Sequence, residues 1–140
     1  MSYTTDIAVI TYLQTTLKAL TAMRGAPARI TDSANIFPFA VSICRRGDSH
    51  SNAYGDGTDI LTFASQIHIA RAEAMLDYTA AMHFRADYRL ALLRDTTLGG
   101  TVDTIQENGI RARFAVMKYG SVDTIGWDVE IDVKAKFAWS

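Results

Sequence analysis

The side chains best suited to chemistry in this chain are one cysteine, Cys44, and three histidines, His50, His68 and His83. A thiol beside an imidazole is the pairing of a nucleophile and its base, so Cys44 with His50 or His68 is the arrangement to consider. No third group that would orient the base can be named, and Cys44 closes an apolar run, where a free cysteine behaves as a small buried hydrophobe. The histidines stand far apart and no second cysteine assists them, so no metal-ligand spacing is present. "GDGTD" (55–59) sets acids near glycines but lacks the alternating ligands and closing glutamate of a calcium loop. "LGG" (98–100) is followed by no Lys-Ser or Lys-Thr and leads into strand-like sequence, unlike a phosphate loop. Arg46-Gly47-Asp48 spells an adhesion tripeptide, yet Gly-Asp is ordinary turn chemistry. The expectation is a protein with no catalytic residues, no cofactor and no metal.

What stands out instead suits association. Arg45 and Arg46, with Asp48, Asp56 and Asp59, read as charges on a long loop, able to meet an acidic partner or simply to face water. A helix-like stretch carries Arg71, Arg85, Arg89 and Arg94 with Tyr78, Phe84 and Tyr88 interleaved, residue types enriched at protein interfaces. Glu73, Asp77, Asp87 and Asp95 are interspersed, which favours a salt-bridged surface over a nucleic-acid grip. Tyr54, Phe84, Tyr88, Trp127 and Trp139 are the candidate interface aromatics, each equally able to be core; for Trp127, core is favoured.

The totals fit this reading. The chain has 140 residues, 49% of them hydrophobic, with a net charge of −1. That is one domain's worth of chain with a real core, and not one built to grip phosphates. No intrachain disulfide can form, and the first twenty residues lack the basic head and unbroken apolar run of a signal peptide or membrane span. Folding in a cytoplasm is expected.

The positioning elements follow from periodicity. Ile10, Leu13, Leu17 and Leu20 predict a helix from Thr5 to about Met23, capped by Thr5 or Asp6 and ended by "RGAPA". Segment 35–44 reads as a strand, at an edge or beginning at Pro38. Residues 45–58 read as a long loop, and 60–71 as a second strand. Residues 72–95 form the longest helix, its best apolar stripe being Met75, Thr79, Met82, Ala86, Leu90 and Leu93. Segments 100–107, 109–120 and 122–140 predict three strands in a meander, turning at "ENG" and "YGS". In the last, Ile125, Trp127, Val129, Ile131, Val133, Ala135 and Phe137 alternate with mostly charged residues. The order α-β-β-α-β-β-β predicts a single α+β domain, an antiparallel or mixed sheet with two helices on one face.

"LRDTTLGGTVDTI" (92–104) then becomes informative. A helix ending in Leu-Arg-Asp, a turn with Asp95, Leu98, Gly99, Gly100 and Val102, and long strands after it resemble the tail terminator and tail-completion proteins of long-tailed bacteriophages. The element order is similar over roughly residues 5–138. Locally, Leu98 would seal the core and Gly99 or Gly100 would take a positive φ. The resemblance implies a virion protein, assembled in the host cytoplasm. It would sit as a six-membered ring on the head-proximal end of the tail tube, touching the tube protein, the neck or connector proteins and its own copies. It implies no membrane and no specific nucleic-acid binding. The motif does not anticipate the loop at 45–58, a natural arm toward a partner. Competing readings are a head-tail connector or adaptor, a tail tube protein, and a small enzyme using Cys44 or His68.

Overall fold

A computed structural model describes residues 2–27, 37–51, 56–70 and 74–138. Helix α1 spans Ser2–Lys18, strands β1 and β2 span Phe39–Ser51 and Asp56–Ala70, helix α2 spans Ala74–Arg94, and strands β3 and β4 span Thr104–Tyr119 and Val122–Ala138. The strands form one antiparallel sheet in the order β1-β2-β4-β3, so the chain is a single α+β domain.

Alternation in β4 sets the two faces of the sheet. Trp127, Val129, Ile131, Val133 and Ala135 are buried toward the helices. Each large aliphatic residue among them contributes roughly 1.5–3 kcal/mol by leaving water. Their register partners Ile67, Phe63 and Leu61 on β2 join the same core. Helix α1 lays down Val9, Leu13 and Leu17, each fully buried and four residues apart. Helix α2 buries Phe84, Tyr88 and Leu92 at the same spacing. That corrects the expected stripe: Leu90 and Leu93 point outward, 52% and 54% exposed. The aromatic pair carries more apolar area, and the sheet offers the Tyr88 hydroxyl a partner, so burial follows Phe84 and Tyr88.

That partner begins a buried chain of hydrogen bonds. Each hydroxyl owns one proton, which fixes the direction. Tyr88 Oη donates to Ser65 Oγ at 2.7 Å, Ser65 Oγ to Ser42 Oγ at 2.8 Å, and Ser42 Oγ to Gln14 Oε1 at 2.6 Å. Gln14 Nε2 then donates to the carbonyls of Pro27 at 2.6 Å and Ala40 at 3.0 Å. Burial holds the Tyr88 phenol un-ionised, raising it above its ordinary value. The relay ties α2, β2, β1 and α1 together. Replacing Gln14 by leucine keeps the volume but strands the Ala40 carbonyl and the Ser42 hydroxyl. A loss of roughly 2 kcal/mol is expected in urea unfolding.

Three further expectations change. Helix α1 begins at Ser2, so Thr5 and Asp6 lie inside it, and it ends at Lys18, before Met23. The helical ladder tightens where Leu20 N bonds Leu17 O at 3.1 Å, and Ala22 takes a φ of 71°. The chain thereby turns so that Gly25 bridges the outer edge of β1 at Phe39. Residues 45–51 and 56–58 are strand where a loop is expected. Strand β1 runs on to Ser51, paired with Gly57 of β2, and only residues 52–55 lie outside the described residues. Residues 46–50 are all exposed on an edge strand, where polar side chains cost nothing, so loop-like composition is compatible with pairing. The edge position of β1, with Pro38 just before it, is as expected.

"ENG" is likewise a bulge and not a turn, so 104–119 is one strand where two were expected. Ile105 faces Val133 and Ile110 faces Ile131, five steps on β3 against two on β4. Asn108, with a φ of 56°, takes up the extra length.

Candidate functional site

The turn after α2 is built by Asp95. Its carboxylate accepts from the Thr97 amide at 3.1 Å, the Thr97 hydroxyl at 2.6 Å and the Gly99 amide at 3.0 Å. Those donors, the Thr97 hydroxyl foremost, hold the Asp95 carboxyl below its ordinary value. Leu98, Gly99 and Gly100 all take positive φ. Gly99 combines a φ of 70° with a Cβ position 2.9 Å from the Tyr12 ring, so a side chain there is strained on both counts. Leu98 is fully buried and Val102 nearly so, sealing the core beneath the helix end.

The face of the sheet away from the helices carries a charged ladder. The register shifts between Cys44 and Arg46, and this bulge turns the side chains of Arg45 and Arg46 to the same face. Arg45 reaches across β2 over the small side chain of Ala64. It meets both Asp128 oxygens at 3.0 and 3.1 Å and Glu130 at 3.1 Å. Arg46 stands 3.6 Å from Glu130. From the other side, Arg111 pairs with Asp132 at 2.6 Å and Glu130 at 3.3 Å, and Arg113 lies 3.9 Å from Asp128. The three acids are 11–24% exposed and the arginines 28–80%, so guanidinium groups form the outer layer. Arg111 hydrogen-bonded to Asp132 keeps that carboxyl below its ordinary value.

At one end of this face Phe39, Val41 and Tyr119 cluster, with Phe37 against them. His68 is fully buried beside them, 5.3 Å from the Tyr119 ring. Gln66 Oε1, 3.2 Å away, can only accept, so His68 Nε2 carries the proton. Its Nδ1 then accepts from the Thr124 hydroxyl at 2.6 Å.

Cys44 occupies the opposite face, packed against the helix-side core, where burial pushes its thiol up. Cys44 and His68 therefore do not meet. His50 and His83 are exposed on separate elements. Among the described residues no group of three or more His, Cys, Asp or Glu is placed to hold a metal ion.

Asp6, on the helix-side face, has a buried oxygen without a hydrogen-bond partner. Burial first, and the charge of Asp59 second, raise its pKa above 3.8. Asp59 is itself buried and accepts from the Ser49 hydroxyl. A raised acid makes the folded state hold its proton longer than the unfolded one. Stability therefore falls as pH climbs from 3.8 through the raised value, and stays lower above it. Asp6→Asn is expected to melt higher than the parent at pH 7 and to lose that advantage below pH 3.8, as thermal melts across pH would show.

The candidate interface residues divide. Arg46, Asp48, Arg85 and Arg89 are exposed and Arg45 half-buried, with Arg85 stacked 5.3 Å over the Trp127 ring. Phe84 and Tyr88 are core residues of this same chain and are unavailable to a partner, because α2 turns its aromatic stripe onto the sheet. Trp127 is buried in the core, as its strand position suggested. Asp56 opens β2, its backbone opposite Ala138. Tyr54, Arg71, Glu73 and Trp139 lie outside the described residues. Sequence reasoning missed the exposed apolar residues Ile7, Phe114 and Val116. Their signal was weak, because Phe114 and Val116 alternate with Arg113, Ala115 and Met117 without a clean polar face.

No protein-family model matches this sequence, and no match is found among curated proteins. No described helix is long and apolar enough to cross a membrane.

Proposed function

We propose that this chain is a structural subunit of a long-tailed bacteriophage, a tail terminator that closes the head-proximal end of the tail tube as a six-membered ring. One observation carries the reading most. The sheet has an even number of alternately directed strands, so its two edges, β1 and β3, run opposite ways. Edge β3 of one copy laid beside edge β1 of the next therefore continues an antiparallel ladder, head to tail, with no reversal of either subunit. The helix, turn and strand order around Asp95, Leu98, Gly99, Gly100 and Val102 supports the same family. Tail tube protein on one side and neck or connector proteins on the other are the partners, in the virion, after assembly in the host cytoplasm.

The work is binding and closure, with no chemical step. The separation of Cys44 from His68 onto opposite faces speaks against the enzyme reading. The two-helix, sheet-dominated build speaks against a connector. A tube protein would use the same edges, and the test separates the two. Light scattering across concentration, with electron micrographs of the same sample, is expected to give discrete rings of about six copies. Open-ended tubes would move the assignment to the tube protein. A monomer at every concentration, even with purified tail tubes added, would remove the reading.

A further inference from the structure

We infer that the outer side of the helix pair docks a second copy of this chain, with Asp87 of each copy set against Arg94 of the other. The contact uses neither edge of the sheet, so it goes beyond the ring reading and is tested separately from it. Tyr12, Thr16 and Ala19 of α1 form one wall of an open groove, and Asp87, Leu90 and Arg94 of α2 form the other. Ala86, Leu90 and Leu93 top α2 beside that groove, the two leucines 52% and 54% exposed. Helix α2 thus carries two apolar stripes, and the core takes only the one with Phe84, Tyr88 and Leu92. A ridge beside a groove is the surface on which helices pack against helices.

The charges name the occupant. Among the described residues, Asp87 and Arg94 are the only charged ones lining the groove. Both are exposed, and neither forms an ion pair with a described residue. They stand about two helical turns apart on one side of α2, with Leu90 and Ala91 midway between them. A two-fold axis through that midpoint lays α2 antiparallel to its copy. Asp87 then faces Arg94 of the second copy, and Arg94 faces Asp87 of the second copy. Two charges without partners in one chain become two matched pairs, the self-complementarity that an isologous contact requires. Leu90 of each copy meets Ala91 of the other at the axis, large against small. The top of α2, with Ala86 and Leu93, rests over the groove of the second copy, whose α1 wall is uncharged. Arg89 lies about 200° around the helix from Asp87, on the flank away from the axis, so no like charges are opposed.

Sedimentation velocity of the full chain across concentration tests the contact. The parent is expected to dimerise through this face, less strongly as salt rises. Asp87→Arg alone and Arg94→Asp alone each oppose like charges at both ends of the contact. Each variant is expected to self-associate roughly tenfold more weakly, with an unchanged melting temperature because both positions are exposed. Mixed in equal amounts, the two variants are expected to recover the parent's association as a heterodimer, since opposite charges then meet at both ends. A mixture that associates no better than its components would overturn the contact, as would single variants that associate like the parent. A parent that never dimerises, or that forms only edge-joined rings without doubling, would also overturn it. Rings joined by sheet edges leave Asp87 and Arg94 free, so the ring reading survives the loss of this contact.

Discussion

Gly126→Ala is expected to cost the fold roughly 4 kcal/mol or more, beyond the usual range for one added methyl. A Cβ at this position would lie 1.8 Å from the carbonyl oxygen of Ile67 and 3.0 Å from its carbonyl carbon. Both atoms belong to the backbone of β2, a strand hydrogen-bonded on both sides, so they cannot rotate away. Gly25→Ala is the informative control. Its Cβ would meet the Phe39 ring at 2.7 Å, a buried side chain but not backbone, so the loss should be smaller than at Gly126. Urea unfolding of the two variants measures the difference, and equal losses would contradict the close approach of β4 to β2.

Protonation of His68 should have the next largest effect. Burial pushes its pKa down from 6.5 to about 4, with Asp128 opposing weakly. A base with a depressed folded pKa contributes stability that is whole above pH 6.5 and is lost as pH falls through 4. The difference corresponds to on the order of 3 kcal/mol between those limits. Proton resonances of the imidazole should titrate near pH 4, and His68→Gln should flatten the stability profile between pH 6.5 and 4. Titration near 6.5 would mean the ring is not enclosed by Thr124, Gln66 and Tyr119.

The fold class was legible because β4 alternates so cleanly and because Asp95-Leu98-Gly99-Gly100 marks a helix end. Both signals depend on neighbours in sequence. The hairpin at 45–58 was not legible, since exposed edge residues carry no hydrophobic pattern and the composition of "RRGDSHS" suits a loop equally well. The bulge at Asn108 carries the sequence of a turn for a related reason. A positive φ serves a reversal or an inserted residue alike, and only the partner strand distinguishes them. Phe84 and Tyr88 were misplaced because aromatics suit core and interface alike. The seat of the Tyr88 hydroxyl, Ser65, is contributed from 23 residues away. The exposure of Phe114 and Val116 is invisible until the topology shows that β3 is an edge strand.

The arginines of β3 bear on a different question, which pairings the protein refuses. A long unpaired edge strand could join its own counterpart about a two-fold axis, giving a dimer that ends growth and never closes a ring. Centred near Ala112, such a pairing would set Arg111 and Arg113 against the same two residues of the other strand. Arg113 is 80% exposed and its nearest acid stands at 3.9 Å, too far for full neutralisation. Like charges opposed across a strand pair are destabilising. The same side chains that cover the acids of β4 thus weigh against a symmetric dimer in that register.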